Sequence, residues 1–351
     1  MDYLGTKTKL LGWLFKHIGR HQEEAGLKGP VFLDACTGTG AVAAYATTLG
    51  YSHVIANDAL NYPYHIVRGK TCLSPEGLRR CREHIAELNR LDPIEVFFSR
   101  EFSESAGRPF FTDRNAGLID AARHYVQGVG DPDEQSYLWY CLLEALSRRA
   151  NTAGTHGAFM KYMQPEAKKD LVVREEPTKY AGGRLEAHAR DILELLGDSE
   201  FRERVKEDVL YIDPPYNPRQ YATYFHLYSA LVAPSDPEIA GISGRPVEHY
   251  RSPFCGTTER VTDFLRDILK KTRADIVAVS YSSDSTVPFD EMVQALVSGF
   301  GHEAVEVQVK VYDRYRSAEK GSSHQLKTST LLEYLFIIRR ERDAIAELFG
   351  A

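Results

Sequence analysis

Asp213-Pro214-Pro215-Tyr216 follows directly on the apolar stretch Val209-Leu210-Tyr211-Ile212, so a short strand ends in an acid, two prolines and an aromatic ring. Each proline fixes φ and lacks an N–H donor, so the chain leaves its sheet at a set angle with carbonyls free to accept hydrogen bonds. Carboxylate, carbonyl and ring then converge on one spot. That set suits an amine on a planar base or amide: acid and carbonyl take its two N–H groups while the ring covers its face. Such a set would hold the amine and sharpen its nitrogen lone pair as a nucleophile. The plainer alternative is a strand closed by a proline turn.

A second constellation lies near the amino end. The strand Pro30 to Asp34 runs into Asp34-Ala35-Cys36-Thr37-Gly38-Thr39-Gly40 and then the helical Ala41-Val42-Ala43-Ala44. Glycines at a strand-to-helix turn let a ligand approach the main chain closely, where α/β sheets bind nucleosides. The third glycine of the dinucleotide fingerprint is missing, which disfavours a pyrophosphate cofactor such as NAD. Asp58 ends the next strand, 18 residues past Gly40 (58 − 40), where an acid accepts both hydroxyls of a ribose. Its alternative is an Asx turn in Asn57-Asp58-Ala59. Together Asp34, Ala35, Gly38, Gly40 and Asp58 suggest an adenosine-bearing cofactor without a pyrophosphate. In Tyr3-Leu4-Gly5-Thr6-Lys7, Tyr3 and Lys7 would suit the carboxylate of a bound amino acid moiety, or be simply solvated.

The elements that position these residues read as α/β. Pro30 to Asp34, His53 to Asn57 and Asp208 to Asp213 are short, apolar and followed by loops, as in a buried parallel sheet. Ile276 to Tyr281 is a further strand, and Ala304 to Tyr312 with Thr330 to Ile338 read as a terminal antiparallel hairpin. Ser74-Pro75-Glu76 opens a helix carrying Leu78, Cys81, Ile85 and Leu88, and Leu138 to Leu146 marks another. Three βα units need about 90 residues. Asp34 and Asp213 are 179 apart (213 − 34), so about half of that interval is surplus. The expected organisation is a catalytic domain from 1–65 and 185–351, with an inserted, largely helical module at 66–184.

Composition sets the boundaries of function. A chain of 351 residues with 43% hydrophobic content buries a substantial core. Five cysteines (Cys36, Cys72, Cys81, Cys141, Cys255), with no Cys-x-x-Cys pair, support neither a disulfide framework nor a metal site. No uninterrupted apolar run is long enough to span a bilayer, and Thr330 to Ile338 contains Glu333, so the expectation is a cytoplasmic, reduced protein. A net charge of −6 argues against a basic nucleic-acid coat but leaves room for a local basic groove. Lys310 to Lys327 is such a stretch, expected to meet phosphate through Arg314, Arg316 and Lys320.

Taken in order, these segments resemble the alpha group of adenine-N6 DNA methyltransferases, the family that includes DNA adenine methylase and the FokI-type modification enzymes, over nearly the whole chain. Tyr3 to Lys7 is similar to that family's opening motif, Phe32 to Gly40 to its S-adenosylmethionine loop, Asn57-Asp58 to its ribose acid, and Asp213 to Tyr216 to its catalytic motif. Asn217-Pro218-Arg219-Gln220-Tyr221 resembles the FokI-like branch, and Asn151 to Phe159 a loop near DNA and cofactor. Two departures stand out. Cys36 replaces the aromatic usual after the loop acid, and the Asp-Phe that flanks the cofactor adenine appears, if at all, as Asp191-Ile192.

The resemblance implies a Rossmann-like class I methyltransferase fold, S-adenosyl-L-methionine as cofactor, double-stranded DNA as substrate and a target-recognition module at 66–184. It also implies a cognate restriction endonuclease as a candidate partner, with Asn217, Arg219, Gln220 and Tyr221 near the DNA. Asp213 and the Pro214 carbonyl would draw the adenine amine toward tetrahedral geometry, and Tyr216 would cover the flipped base. Cytosine-C5 methylation is disfavoured because none of the 16 prolines precedes a cysteine nucleophile. Cytosine-N4 and RNA adenine methylation remain chemical alternatives. A non-catalytic nucleic-acid-binding protein on the same fold is the alternative of another class.

Overall fold

The structure, a computed structural model, describes residues 7–182, 184–300, 305–313 and 330–340. In chain order the strands are β1 (Val31–Asp34), β2 (His53–Asp58), β3 (Leu185–Ala189), β4 (Val209–Ile212), β5 (Ile239–Ala240), β6 (Arg245–Pro246), β7 (Ile276–Ser282), β8 (Val305–Asp313) and β9 (Thr330–Arg339). Seven of them form one sheet in the order β3-β2-β1-β4-β7-β9-β8, and β5 with β6 makes a separate small hairpin. The first five strands of that order run parallel, while β9 is antiparallel to both β7 and β8. The mostly parallel sheet and terminal hairpin are those expected.

Every residue of β4 and β7 is buried, which explains why these strands read as continuous apolar runs: both sheet faces are covered. On one face Phe32, Tyr211, Ala278 and Ile337 pack with Leu14 and Ile18 of α1 (Leu11–Glu24). On the other Leu33, Leu210, Val277 and Phe336 pack with residues of three helices. These are α8 (Ile192–Gly197), α9 (Ser199–Arg204) and α12 (Thr258–Lys271), contributing Leu195, Phe201 and Leu265 respectively. Neighbours in sequence thus serve opposite faces, the period of two that a pleated strand imposes. β3 escaped the sequence reading because it is the sheet edge, with Leu185 its sole fully buried residue.

Between β2 and β3 the chain builds helices instead of a simple crossover: α3 (Asn61–Thr71), α4 (Pro75–Leu88), α5 (Phe97–Glu101), α6 (Asp113–Gln127) and α7 (Pro132–Arg149). They share a core of their own, around Phe98, Phe102, Phe110, Phe111, Tyr137 and Leu142. Ser74 caps α4 by accepting from Gly77 N at 3.1 Å, the cap its Ser-Pro-Glu opening suggested. A Cβ on Gly69 would lie 2.9 Å from Tyr140 Cβ and 3.0 Å from the Tyr137 Cα, so a glycine there lets α3 and α7 touch. The short α10 (Tyr221–Tyr224) and α11 (His226–Val232) follow β4, and α11 joins the helical core through Leu227, Tyr228 and Leu231. The remaining helices are α2 (Ala41–Ala46) after β1 and α13 (Phe289–Phe300) after β7.

Candidate active site

The carboxyl ends of β1, β2 and β4 open onto one cleft. Asp34, Ala35, Gly38, Asp58, Asp213, Pro214, Pro215 and Tyr216 all line it, as does Lys7. Residues up to 209 positions apart (216 − 7) thus meet at the switch side of the sheet.

The wall formed by β1 and β2 is built from main chain. Gly38 (φ 49°) and Gly40 (φ 74°) are both left-handed, and Gly40 N donates to Thr37 O at 2.8 Å to close the turn into α2. A Cβ on Gly40 would stand 2.6 Å from Val67 Cγ2, so the turn is also pressed against α3. Gly40 itself supports the loop rather than lining the cleft. Asp58 accepts from Gly38 N through Oδ2 and from Leu60 N through Oδ1, each at 3.0 Å. The Asx turn and the lining position therefore coexist, and burial lifts this acid to about 6.

Asp34 is almost wholly buried. Its Oδ2 accepts from Thr37 Oγ1 at 3.1 Å, while Oδ1 is buried with no partner among the described residues. Burial pushes the group up to about 8, helped by the nearby Asp213 and Asp58 charges. An orphaned acceptor of this kind fits a cationic ligand group. Ile192, Tyr250, Phe254 and Phe264 add an apolar side that fits a purine ring. The residues present thus fit S-adenosylmethionine.

The β4 wall is held by side chains. The Tyr216 hydroxyl donates to Asp213 Oδ1 at 2.6 Å and lies 3.1 Å from Glu333 Oε1. Lys7 Nζ donates to the Tyr216 hydroxyl and to Glu333, and stands 3.4 Å from Asp213 Oδ1. Burial lifts Asp213 to about 6; Lys7 opposes the rise and Glu333 adds to it. Burial also disfavours the charge on Lys7, but the carboxylates of Asp213 and Glu333 outweigh it and the net shift is upward. Tyr216 is held well above its ordinary value by burial and then by those two acids, so it remains a neutral donor.

Two expectations need correction. Lys7 is neither solvated nor free for a ligand carboxylate, because it is 4% exposed and already paired with Glu333 beside Asp213. Asp191 does not line the cleft. It caps α8, accepting from Leu193 N at 2.8 Å, and takes the Tyr250 hydroxyl at 2.7 Å, leaving Ile192 and Tyr250 to face the ligand space. Tyr3, Arg314, Arg316 and Lys320 lie outside the described residues.

Glu333 and Ser280 were missed. The signal was present for Glu333, a lone acid inside Leu331-Leu332-Glu333-Tyr334-Leu335-Phe336, since a buried charge in an apolar strand needs a partner. Ser280 sits in a wholly buried strand and had no comparable signal.

A second cavity adjoins the first, with Gln220 lining both. The loop after α7 (Ala153, Thr155, Gly157, Phe159) forms one side, and Arg219, Tyr224 and Arg245 the other. Arg219 donates to the Tyr224 hydroxyl at 2.8 Å, Gln220 exchanges hydrogen bonds with the Ser252 main chain, and Asn217 accepts from Arg219 N at 3.0 Å. Tyr221 faces the first cleft. Of the basic residues in the helical segment, Arg79, Arg80, Arg82, Arg148, Arg149 and Lys169 are engaged with acids of that same segment. All five cysteines are free thiols, and no described helix is long and apolar enough to cross a membrane. Among the described residues no group of His, Cys, Asp and Glu side chains is arranged to hold a metal.

Comparison with known proteins adds an independent line. Residues 3–284 match the model of the D12 class N6 adenine-specific DNA methyltransferases. The chain is 30% identical over 347 residues to Type II methyltransferase M.CviAII of Paramecium bursaria Chlorella virus 1, covering 97% of this chain and 99% of that one. It is 28% identical over 350 residues to Type II methyltransferase M.NlaIII of Neisseria lactamica, with the same 97% and 99% coverage. Type II methyltransferase M.FokI of Planomicrobium okeanokoites is 28% identical over 361 residues, which is 97% of this chain and 53% of that protein.

Proposed function

We propose that this chain, which belongs to the D12 class of N6 adenine-specific DNA methyltransferases, performs its chemistry where β4 ends, with Asp213 as the acceptor of the target amine. The enzyme is a site-specific DNA adenine methyltransferase that uses S-adenosylmethionine. When bound, that cofactor supplies an electrophilic methyl group on a sulfonium sulfur.

The residues divide the remaining work. Asp34 would hold the cofactor's ammonium group, and Asp58, fixed by two main-chain N–H groups, would hold its ribose hydroxyls. Gly38 keeps a side chain out of the approach, while Ile192 and Tyr250 would flank the purine. Asp213 and the Pro214 carbonyl accept the two N–H groups of the flipped adenine amine. This localises the nitrogen lone pair, which the ring otherwise delocalises, and Asp213 offsets the positive charge that develops on nitrogen. Tyr216, with its hydroxyl anchored on Asp213 and its ring packed by Lys7 and Tyr281, would lie against the base.

Duplex DNA would approach across the second cavity. Arg219 and Arg245 would meet phosphate or base edges there, with Gln220 lining both cavities and Tyr221 the first. The helical segment 66–184 would supply target recognition, and Arg314, Arg316 and Lys320 further phosphate contacts. A place in a restriction-modification pair, beside a cognate endonuclease, would accord with the type II relatives.

The observation that carries this reading is the convergence of Asp213, Tyr216 and the orphaned Asp34 oxygen on one cleft. The test is to methylate duplex DNA with labelled cofactor and separate the nucleosides. Label in N6-methyladenine is expected, and label in N4-methylcytosine overturns the placement of the base.

A further inference from the structure

Glu333 is an acid set in the middle of an apolar strand, 5% exposed, on the far side of the sheet order from the cofactor loop. It also lies beyond residues 3–284, the part of the chain matched by the family model. A buried carboxylate without partners is costly, and this one is engaged through Oε1. Its Oε1 gathers Lys7 Nζ, Ser280 Oγ at 2.7 Å and the Tyr216 hydroxyl at 3.1 Å. Two of those three groups, Lys7 and Tyr216, also reach Asp213 Oδ1. Two carboxylates from strands 120 residues apart (333 − 213) therefore share one ammonium and one phenol.

The distances are unequal. Lys7 makes its shorter contact with Glu333 and a longer one, at 3.4 Å, with Asp213, so both carboxylates act on the same ammonium but Glu333 holds it more closely. We propose that Glu333 is a positioning residue for the methyl transfer: it draws Lys7 away from Asp213, so that the Asp213 carboxylate stays an available acceptor instead of half of a closed ion pair. This rests on Asp213 being the acceptor of the target amine. Two carboxylates and one ammonium leave one negative charge, and the geometry leaves it on Asp213, next to the nitrogen that becomes positive. With Glu333 neutral, Lys7 has Asp213 as its remaining carboxylate in this cluster, and the pair closes.

Asp213 is faced by Lys7 from the amino-terminal segment, Glu333 from β9, Tyr216 and Tyr211 around the end of β4, Asp34 from β1 and Tyr221 from α10. Of these, Lys7 lowers its pKa and Glu333 raises it, so loss of the Glu333 charge moves Asp213 downward. Glu333→Gln keeps the shape and an acceptor for Ser280 while removing that charge.

The experiment is the single-turnover methylation rate at saturating cofactor as a function of pH, with cofactor affinity and thermal melting measured alongside. For Glu333→Gln the plateau rate should fall by at least about tenfold, and the acid limb should move down by roughly one pH unit, with cofactor affinity within about twofold. Glu333→Asp should restore the position of the limb. In Lys7→Met/Glu333→Gln, which leaves Asp213 buried without a cation, the limb should lie above that of the wild type. A Glu333→Gln enzyme with wild-type rate and limb overturns the proposal. So does one that melts early and turns over slowly with its limb unmoved, because that is a purely structural effect. Full turnover in Asp213→Ala defeats the assignment of Asp213 itself, a separate outcome.

Discussion

Three acids, Asp34 buried and Asp58 and Asp213 half-buried, face the cleft, and they are held in two different ways. Asp58 is gripped by main-chain N–H groups of Gly38 and Leu60, and Asp34 by a hydroxyl three residues away, all within the βα turns that follow β1 and β2. Asp213 is held by side chains alone, Tyr216 close by and Lys7 from the other end of the chain, with Glu333 competing for both. Burial lifts all three, Asp34 to about 8 and the other two to about 6. Partners drawn wholly from the adjoining turns fix an acid in place, which suits a group that holds an unchanging cofactor. Side-chain partners let the charge on an acid be adjusted by its neighbours, which suits the group that meets developing charge. The two walls thus separate binding from chemistry.

Substitutions on the two walls should separate the same way. Asp213→Ala should lower single-turnover methylation roughly a thousandfold or more, with the cofactor dissociation constant within about threefold of wild type by calorimetry. A parallel loss of affinity would merge the two walls into one function. Asp34→Asn removes the charge that awaits the ammonium group and should weaken cofactor binding by about 10- to 100-fold, with a much smaller effect on the rate once cofactor saturates. Gly40→Ala places a Cβ in a left-handed residue, 2.6 Å from Val67 Cγ2, and should cost about 1–3 kcal/mol, seen as a melting temperature lower by a few degrees and weaker cofactor binding. Arg245→Ala lies on neither wall. It should reduce DNA affinity modestly and lower the salt slope of binding by about one, leaving cofactor affinity unchanged.

The same contrast explains what the sequence made legible. Asp34, Gly38, Gly40 and Asp58 lie in two adjacent βα turns, so their types and spacing already describe a cradle, and Asp34, Gly38 and Asp58 line the cleft. Strands β1, β2, β4, β7, β8 and β9 announced themselves because buried or half-buried strands leave apolar or alternating patterns, and their ends fall within two residues of the expected ones. β3 did not, since an edge strand such as Leu185–Ala189 needs little apolar surface. The partners of Asp213 were hidden for another reason. Lys7 and Glu333 meet it only through the order of the sheet, with β9 inserted between β7 and β8, and no local spacing records that. Asp191 misled because an acid before an apolar residue is equally the signature of a helix cap, the duty it performs on α8.

The division between the walls is tested most directly by two pH profiles on the wild-type enzyme: cofactor affinity, and single-turnover methylation at saturating cofactor. Asp34 must be ionised to hold a cation, and its raised value means that it is largely protonated below about 8. Cofactor binding should therefore weaken as pH falls through about 8 and release a proton at neutral pH, visible as a buffer-dependent heat. Asp213 accepts the amine as a carboxylate, so at saturating cofactor the rate should hold across that range and fall only at or below about 6. Two limbs separated in this way are the result the account predicts. A single limb common to binding and rate, or a rate indifferent to pH between 5 and 8 in an enzyme whose Asp213→Ala form still turns over, would contradict it.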